Sequence, residues 1–306
     1  MRVAVIGVGH VGKHHARLYA ELPNIDLAGV VDLQKSRAEE IAALHNTSAF
    51  GDYRELFGKV DAVSLAVPTI DHALIGVDLL EHGIDVLVEK PIASTTEQAQ
   101  ALIAAAASNK RILQVGHVER FNPIITAASE LATKPQFFEI HRLAAFTPRS
   151  LDIDVVLDLM IHDIDVVLSL VPAALREVRA VGIPVLSQKA DIANARVEFE
   201  DGCVANFTAS RVSFEKTRKI RFFQPHDYIS LDYASQTGTM VSLRMGRVTE
   251  RKLEPTNEEP LKLQLAAFAE CVTNRRPPLV SGEDGLRALE LAVRINSAIA
   301  ERLVLR

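Results

Sequence analysis

The chain has 306 residues, 48% hydrophobic and 24% charged, which fits a soluble globular protein of two ordinary domains. Its 34 basic and 39 acidic residues give a net charge of −5, which argues against nucleic acid as the main partner, because phosphate binding needs a basic face. No apolar run approaches the roughly 18 residues that span a bilayer. The two cysteines, Cys203 and Cys271, lie far apart, so we expect no metal or redox role and a cytoplasmic protein without a membrane partner.

The chain opens on a strand, a glycine-rich turn and a helix. Residues 3–6 are apolar, as in a buried parallel strand. In the G-x-G-x-x-G that follows, the first glycine allows a tight turn, the second lets the backbone approach a pyrophosphate, and the third lets the helix pack closely on the strand. We expect this loop to hold the phosphates of a dinucleotide with Gly7, Gly9, His10, Val11 and Gly12.

Asp32 ends the second apolar run, 20 residues after Gly12. A carboxylate there accepts hydrogen bonds from the adenosine ribose and repels a 2′-phosphate, so it favours NAD over NADP. Lys35 and Arg37 are close enough in sequence to meet a 2′-phosphate, which leaves NADP as the less favoured alternative. A glycine-rich turn in an unrelated α/β protein is the competing interpretation, but strand, glycines, helix and acid all fall in register.

Strand and helix patterns alternate up to about residue 116, which predicts an α/β Rossmann domain with a doubly wound parallel sheet over residues 1–118. The predicted strands after the second are a short segment around residues 48–50, then 62–67, 84–88 and 111–115. The predicted helices are 35–45, one from Asp71 as N-cap to His82, and one that begins at Ser94 with Glu97 completing a capping box.

Glu89-Lys90-Pro91 follows the fifth strand, at the edge where open α/β sheets place their ligands. Pro91 restricts the backbone of Lys90, and the bond between them can adopt the cis form. A lysine held there can hydrogen-bond a substrate hydroxyl and lower its pKa. The alternative is an ordinary surface lysine before a helix.

From about residue 137 the sequence changes to segments in which apolar and polar residues alternate, as they do in strands, with a hairpin turn at Asp201-Gly202. We predict an α+β domain over residues 119–306 with a large, mainly antiparallel open sheet, whose last helix is free to pack back on the first domain. Such a sheet has few helices to cover it, so we expect its open face to form a homodimer or homotetramer. The predicted strands are 195–199, 203–209, 219–223, 228–233 and 239–243, and the predicted helices are 155–171, 261–274 and 283–303.

A polar stripe interrupts the apolar helix 155–171. Asp158, His162 and Asp165 lie at i, i+4 and i+7, on one face of an α-helix. Polar groups in such surroundings need a reason, and one reason is catalysis, with His162 as general base and Asp158 orienting it. A metal site and a satisfied buried histidine are the alternatives, and the acid-rich ligand set disfavours the metal.

In these motifs the sequence resembles the glucose–fructose oxidoreductase, inositol dehydrogenase and rhizopine catabolism family (Gfo/Idh/MocA) over essentially the whole chain. The resemblance implies a sugar or polyol dehydrogenase in which Lys90, Asp158 and His162 are the catalytic set. Hydride passes from the substrate to the nicotinamide, His162 takes the hydroxyl proton and Lys90 stabilises the alkoxide. Some relatives instead bind the dinucleotide as non-catalytic sensors, which the presence of Lys90 and His162 disfavours.

The resemblance also assigns residues beyond the catalytic set. Gly116-His-Val-Glu-Arg-Phe-Asn-Pro123 is similar to the family's segment at the domain junction, which implies that Arg120 and Asn122 lie near nicotinamide or substrate. The cofactor side is implied to include one further loop, a histidine and the motif after strand five: Ala66, Val67, Pro68, His72, Glu89 and Lys90.

The second domain gives weaker signals about the substrate. Several basic residues suggest an anionic substrate, although solvated strand edges explain most of them equally well. The run from Phe146 through Arg149 to Asp165 is similar to the branch of the family that oxidises UDP-N-acetylglucosamine at C3, which makes Arg149 a substrate-binding candidate. A free polyol or aldose is the alternative substrate. The basic residues are Arg142, Arg149, Arg211, Lys216, Arg218, Lys219 and Arg221.

Overall fold

The computed structural model describes residues 1–147 and 153–304, and the chain divides into two compact units. The first unit comprises Met1–Val118 together with Glu259–Leu286. The second comprises Glu119–Glu258 and continues from Arg287 to the end of the chain. Within the described residues, no helix has the length and hydropathy to cross a membrane.

The first unit is built on a parallel six-stranded sheet, as the alternating pattern predicts. Its strands are β1 (Arg2–Ile6), β2 (Asp26–Val31), β3 (Ala49–Phe50), β4 (Ala62–Leu65), β5 (Asp85–Glu89) and β6 (Leu113–Gly116). Its first four helices are α1 (Gly12–Glu21), α2 (Lys35–His45), α3 (Thr69–Glu81) and α4 (Thr96–Ser108). The strand order β3-β2-β1-β4-β5-β6 reverses between β1 and β4, and ligands of doubly wound sheets bind at such a reversal, beyond the carboxyl ends of the strands.

Two predicted helix starts in this unit are wrong. α3 begins at Thr69, directly after Pro68, so Asp71 lies in its first turn and is not the N-cap. α4 begins after Thr95, whose hydroxyl accepts a hydrogen bond from the N–H of Gln98 at 3.3 Å, so Ser94 is not the cap. The N-cap of α3 is three residues earlier than predicted and that of α4 is one residue later, where Ser94 and Thr95 are neighbouring side chains that both suit a cap.

The second unit holds an eight-stranded, mainly antiparallel sheet. Its strands are β7 (Phe137–Leu143), β8 (Leu175–Ile183), β9 (Ile192–Phe199), β10 (Val204–Ser210), β11 (Thr217–Gln224), β12 (Asp227–Asp232), β13 (Thr237–Arg244) and β14 (Arg247–Leu253). Its helices include α5 (Pro123–Ser129) and α6 (Ile161–Leu170). The order is β14-β13-β12-β11-β7-β10-β9-β8, and only the β7–β10 pair is parallel. The predicted architecture is therefore confirmed, including the β9–β10 hairpin, where Gly202 has φ +86°.

Two long helices end the chain, α7 (Pro260–Asn274) and α8 (Gly282–Val304). The sequence predicts one uninterrupted second domain from residue 119 onward, whereas α7 belongs to the first unit. The reason is apolar packing, since Leu265 and Phe268 are fully buried in one cluster with Leu18 and Tyr19 of α1. Beyond Leu286, α8 joins the core of the second unit through residues such as Ile295.

Candidate active site

In the glycine-rich loop after β1, there is no room for a side chain at Gly7 or Gly12, whereas Gly9 faces open space. Gly7 has φ +84°, and a Cβ there would lie 2.7 Å from the carbonyl oxygen of Ala66. A Cβ on Gly12 would lie 1.8 Å from the carbonyl oxygen of Gly7. At Gly9 the nearest atom is Nη1 of Arg37 at 4.0 Å, and His10 and Val11 beyond it are exposed. This is the shape that a dinucleotide pyrophosphate needs, because the phosphates must approach the backbone before α1.

Asp32 lies directly after β2 and is tied to that loop. Its Oδ2 accepts a hydrogen bond from the N–H of Val8 at 3.1 Å, and its Oδ1 accepts one from the N–H of Gln34 at 2.9 Å. Nη1 of Arg37 lies 3.5 Å from the same Oδ2. Lys35 instead pairs with Glu39 at 3.6 Å. Lys35 and Arg37 are the two candidates to meet a 2′-phosphate, and Arg37 is the one that lies beside Asp32 and the glycine-rich loop.

The loop after β4 brings the third set of cofactor candidates to this edge. Ala66 and Val67 are half-buried and Pro68 is exposed, and the N–H of Ala66 donates to the carbonyl of Ile6 at 2.8 Å. His72, three residues into α3, is buried, with Nε2 3.0 Å from the carbonyl oxygen of Val67. Its ring thus contacts the backbone of the loop.

Glu89 stabilises the turn that carries Lys90. Its Oε1 lies 3.2 Å from Nε2 of the buried His15, and its Oε2 accepts a hydrogen bond from the N–H of Lys90 at 3.3 Å. A Cβ on Gly116 would lie 2.7 Å from Oε1, so the neighbouring strand must end in glycine to admit this carboxylate. The Lys90–Pro91 bond is cis, the form that the sequence allows. Lys90 itself is half-buried at the carboxyl edge of the sheet.

The helix with the polar stripe is not uniformly α-helical. A π-helical turn, Val156–Met160, contains Asp158, and α6 follows with His162. The prediction of one continuous α-helix is wrong in this turn, and the wider turn changes the angle between Asp158 and His162 from that of an i, i+4 pair. Asp154 caps the turn, accepting hydrogen bonds from the N–H groups of Val156 and Leu157. Both Asp158 and His162 are half-buried, and π turns are frequent at functional sites.

The residues proposed from the junction segment differ in what they contact. Arg120 lies with Nη1 3.5 Å from Oδ1 of the buried Asp165 on α6. Asn122 is buried, and its amide donates to Oε2 of Glu119 and to the carbonyl of Tyr233, while its Oδ1 caps α5. These contacts favour a structural role for Asn122. Arg149 lies outside the described residues.

The basic residues suggested for an anionic substrate separate into two groups. Arg142 and Arg211 are buried in ion pairs, and Arg211 contacts Oδ1 of Asp191 and the carbonyl oxygen of Ile153, each at 2.8 Å. These two are part of the framework of the second unit. The others are half-buried or exposed, which agrees with solvated strands: Lys216, Arg218, Lys219 and Arg221.

Arg142 forms the centre of a buried ion network that includes Asp163, the residue after His162. Its Nε and Nη2 donate to the two carboxylate oxygens of Asp163 at 2.8 and 2.9 Å, and its Nη1 and Nη2 donate to Oε1 of Glu119 at 3.1 Å. Burial raises the pKa of Asp163, and the charge of Arg142 counteracts part of that rise. This network was not predicted, although one signal of it was present in the sequence: Asp163 is an acid beside the predicted polar stripe in an otherwise apolar helix.

In the part of the chain that the structure describes, no cluster of three or more His, Cys, Asp or Glu side chains is arranged to hold an ion. The candidate residues are divided between the two units. The glycine-rich loop, Asp32 and Lys90 lie in the first unit, and Asp158 and His162 lie in the second.

Comparisons with known proteins agree with this geometry. The chain is 37% identical to UDP-N-acetylglucosamine 3-dehydrogenase of Acidithiobacillus ferrooxidans, over 98% of this chain and 97% of that protein. The solved structure of that enzyme matches with a TM-score of 0.93 at 38% identity, covering 98% and 97% of the two chains. The scyllo-inositol 2-dehydrogenase (NAD(+)) of Bacillus subtilis is 27% identical over 96% of this chain and 92% of its own length.

Two family profiles match the two halves of the chain. Residues 1–117 match the oxidoreductase family with an NAD-binding Rossmann fold, and residues 135–251 match the C-terminal domain of the same family. Together with the relatives above, these matches confirm the resemblance that the motifs indicated. The chain belongs to the Gfo/Idh/MocA family of NAD-binding oxidoreductases.

Proposed function

We propose that this dehydrogenase oxidises the C3 hydroxyl of UDP-N-acetylglucosamine with NAD. The observation that carries the proposal is the match, over nearly the full length of both chains, to a protein named for that reaction. The inositol dehydrogenase match is also nearly full length but has lower identity. A free polyol or aldose is therefore the second candidate substrate.

The cofactor fits the residues at the carboxyl edge of the first unit. The glycine loop would hold the pyrophosphate, Asp32 the adenosine ribose, and Ala66–Pro68 the neighbouring part of the dinucleotide. Bound nicotinamide supplies a hydride acceptor for a carbon that carries a hydroxyl group.

The remaining chemistry falls to three side chains. We assign to His162 the removal of the hydroxyl proton as general base, and to Asp158 the orientation of its imidazole. The ammonium of Lys90 stabilises the negative charge that develops on the substrate oxygen as that proton leaves. Such a set suits a secondary alcohol, since both a base and a cation act on one oxygen. Arg120 and Arg149 remain predictions for substrate binding.

NAD is the proposed cofactor rather than NADP. The carboxylate of Asp32, held in place by two backbone N–H groups, would repel a 2′-phosphate. Arg37 lies beside that carboxylate, so the positive charge of Arg37 is already partly neutralised by Asp32 before a cofactor binds. We therefore expect NADP to be used, if at all, far less efficiently than NAD.

The experiment measures reduced nicotinamide absorbance after mixing the protein with NAD and UDP-N-acetylglucosamine at mildly alkaline pH. An aminotransferase with glutamate removes the ketone product and draws the reaction forward. The signal should vanish in His162→Ala and persist in His141→Ala, a matched change of an exposed histidine on β7. No signal with the nucleotide sugar but a signal with inositol or glucose would move the assignment to free polyols. No signal with any of them, alongside measurable NADH binding, would favour a sensor.

We also propose that the protein is a homodimer or homotetramer that associates through the sheet of the second unit. A row of half-buried aromatic rings crosses three strands of that sheet: Phe137 and Phe223 lie 5.8 Å apart, and Phe223 and Tyr228 lie 4.9 Å apart. Light scattering that gives a monomer mass at working concentration would refute this.

Cytoplasmic localisation is proposed as well, because both cysteines are free thiols, as suits a reducing compartment. Recovery of the protein outside the cytoplasmic fraction of fractionated cells would contradict it.

A further inference from the structure

His72 contacts two functional loops through opposite sides of one ring. Its Nε2 lies 3.0 Å from the carbonyl oxygen of Val67, in the loop after β4. Its Nδ1 lies 3.0 Å from the carbonyl oxygen of Pro91, in the turn after β5. The residue is 1% exposed, so neither contact competes with bulk water.

The position of this ring is fixed by the helix that carries it. His72 lies in the first turn of α3, and both carbonyls lie within hydrogen-bond distance of it. A neutral imidazole carries one N–H and can donate to one carbonyl at a time, whereas a protonated ring can donate to both. Burial lowers the pKa of His72, while the two carbonyl contacts and the carboxylate of Glu89 oppose that effect. The protonated ring therefore holds both carbonyls at once, and in the neutral ring each tautomer holds one of them.

The two loops carry different parts of the proposed function. Val67 belongs to the loop assigned to the cofactor, and Pro91 directly follows Lys90, assigned to the substrate oxygen. Displacement of the Pro91 carbonyl would move the backbone that carries Lys90. Displacement of the Val67 carbonyl would move the loop that the dinucleotide lies along.

We propose that His72 is a positioning residue that ties the Lys90 turn to the cofactor loop, rather than a residue that contacts the cofactor itself. The proposal rests on the roles given to Lys90 and to Ala66–Pro68 in the proposed function. It differs from the sequence prediction, in which His72 binds the cofactor.

The contact of His72 with Val67 and its contact with Pro91 can be removed one at a time. The amide nitrogen of asparagine takes the place of Nδ1, so His72→Asn keeps the contact to Pro91 and loses the one to Val67. The amide nitrogen of glutamine takes the place of Nε2, so His72→Gln keeps the contact to Val67 and loses the one to Pro91. His82→Asn, at the exposed C-terminal end of α3, is the matched control.

Amide hydrogen exchange, followed by mass spectrometry on the full-length protein without substrate, tests the tie independently of turnover. We expect His72→Asn to speed exchange in peptides covering residues 66–70, and His72→Gln in peptides covering residues 89–94. Loss of one hydrogen bond should give up to about a fivefold change in either case, with the full change where the ring of the unchanged protein is protonated. Equal exchange changes in both loops for both variants, or none in either, would overturn the proposal.

Kinetics and NADH fluorescence titration supply the second readout. His72→Asn should raise the Kd for NADH and leave kcat near that of the unchanged protein. His72→Gln should leave the Kd unchanged and lower kcat by about tenfold to a hundredfold, because a small misplacement of a catalytic group is costly. The reverse assignment, or parallel losses in both variants, would refute the tie. Failure of the unchanged protein to oxidise any substrate would count against the proposed function alone, since the exchange result is unaffected.

Discussion

Replacing Arg142 with methionine should destabilise the second unit by about 3–5 kcal/mol, the usual cost of breaking a buried ion pair by removing one partner. The guanidinium is 3% exposed and makes four close contacts, two to Asp163 and two to Glu119. Methionine fills much of the same volume but leaves two buried carboxylates without this cation. Arg218 compensates only weakly, because its Nη1 lies 3.8 Å from Glu119 and its side chain is 42% exposed.

Urea unfolding followed by far-ultraviolet circular dichroism measures this cost. Arg218→Met is the matched control, and it should cost less than about 1 kcal/mol because its ion pair is largely exposed. Adding Asp163→Asn and Glu119→Gln to Arg142→Met should recover part of the loss, since the two carboxylates that Arg142 pairs with are then neutral. A loss for Arg142→Met no larger than that of Arg218→Met would refute the reasoning.

The loss of stability in Arg142→Met should also depend on pH, in a direction set by the carboxyl group of Asp163. Burial raises the pKa of this carboxyl, and removal of Arg142 takes away the charge that opposes the rise. In the variant the folded state therefore binds a proton that the unfolded state releases above about pH 4. Its stability falls as the pH rises through the window between the unfolded and the folded pKa, so the deficit should be smaller at pH 5 than at pH 8.

Four further changes test the first unit. Gly12→Ala places a Cβ 1.8 Å from a backbone oxygen. It should weaken NADH binding about tenfold to a hundredfold, in line with about 1–3 kcal/mol of overpacking. The control is Gly51→Ala, which should not change the Kd because a Cβ there has no atom within 4 Å. Asp32→Asn should raise the NADP to NAD ratio of kcat/KM by about tenfold or more, because it removes the charge that repels a 2′-phosphate. Arg37→Ala should lower the kcat/KM for NADP more than that for NAD, and equal losses would show that this guanidinium does not reach the 2′ position. Lys90→Met should lower kcat by about a hundredfold to a thousandfold while sparing the Kd for NADH. Full activity in that variant would remove Lys90 from the mechanism.

The grouping of candidate residues at the carboxyl edge of the first sheet was predictable because each of the signals is local. The glycine loop, Asp32 and Glu89-Lys90 each follow a strand in the sequence, and parallel strands bring their carboxyl ends to one edge without further information. The helix with Asp158 and His162 was recognised for the same reason, since its polar residues interrupt a continuous apolar run.

The features that could not be predicted from the sequence depend mainly on contacts between distant segments. The partners in the Arg142 network are separated by more than 20 residues, and nothing local distinguishes Arg142 from its neighbours on β7. The π turn around Asp158 changes the hydrogen-bond register of a segment whose composition suits an ordinary helix. β14 was missed because four of its six exposed residues are charged and only Leu253 is buried, so the alternation typical of a strand is absent.

The return of α7 to the first unit has a consequence for how the chain folds during synthesis. Leu265 and Phe268 fill the same apolar cluster as Leu18 and Tyr19, so a nascent chain that ends at Val118 leaves that face of α1 uncovered. The cofactor-binding half therefore cannot complete its core until the whole of the second sheet has emerged from the ribosome. Until then the exposed apolar face of α1 is a surface that a chaperone would recognise.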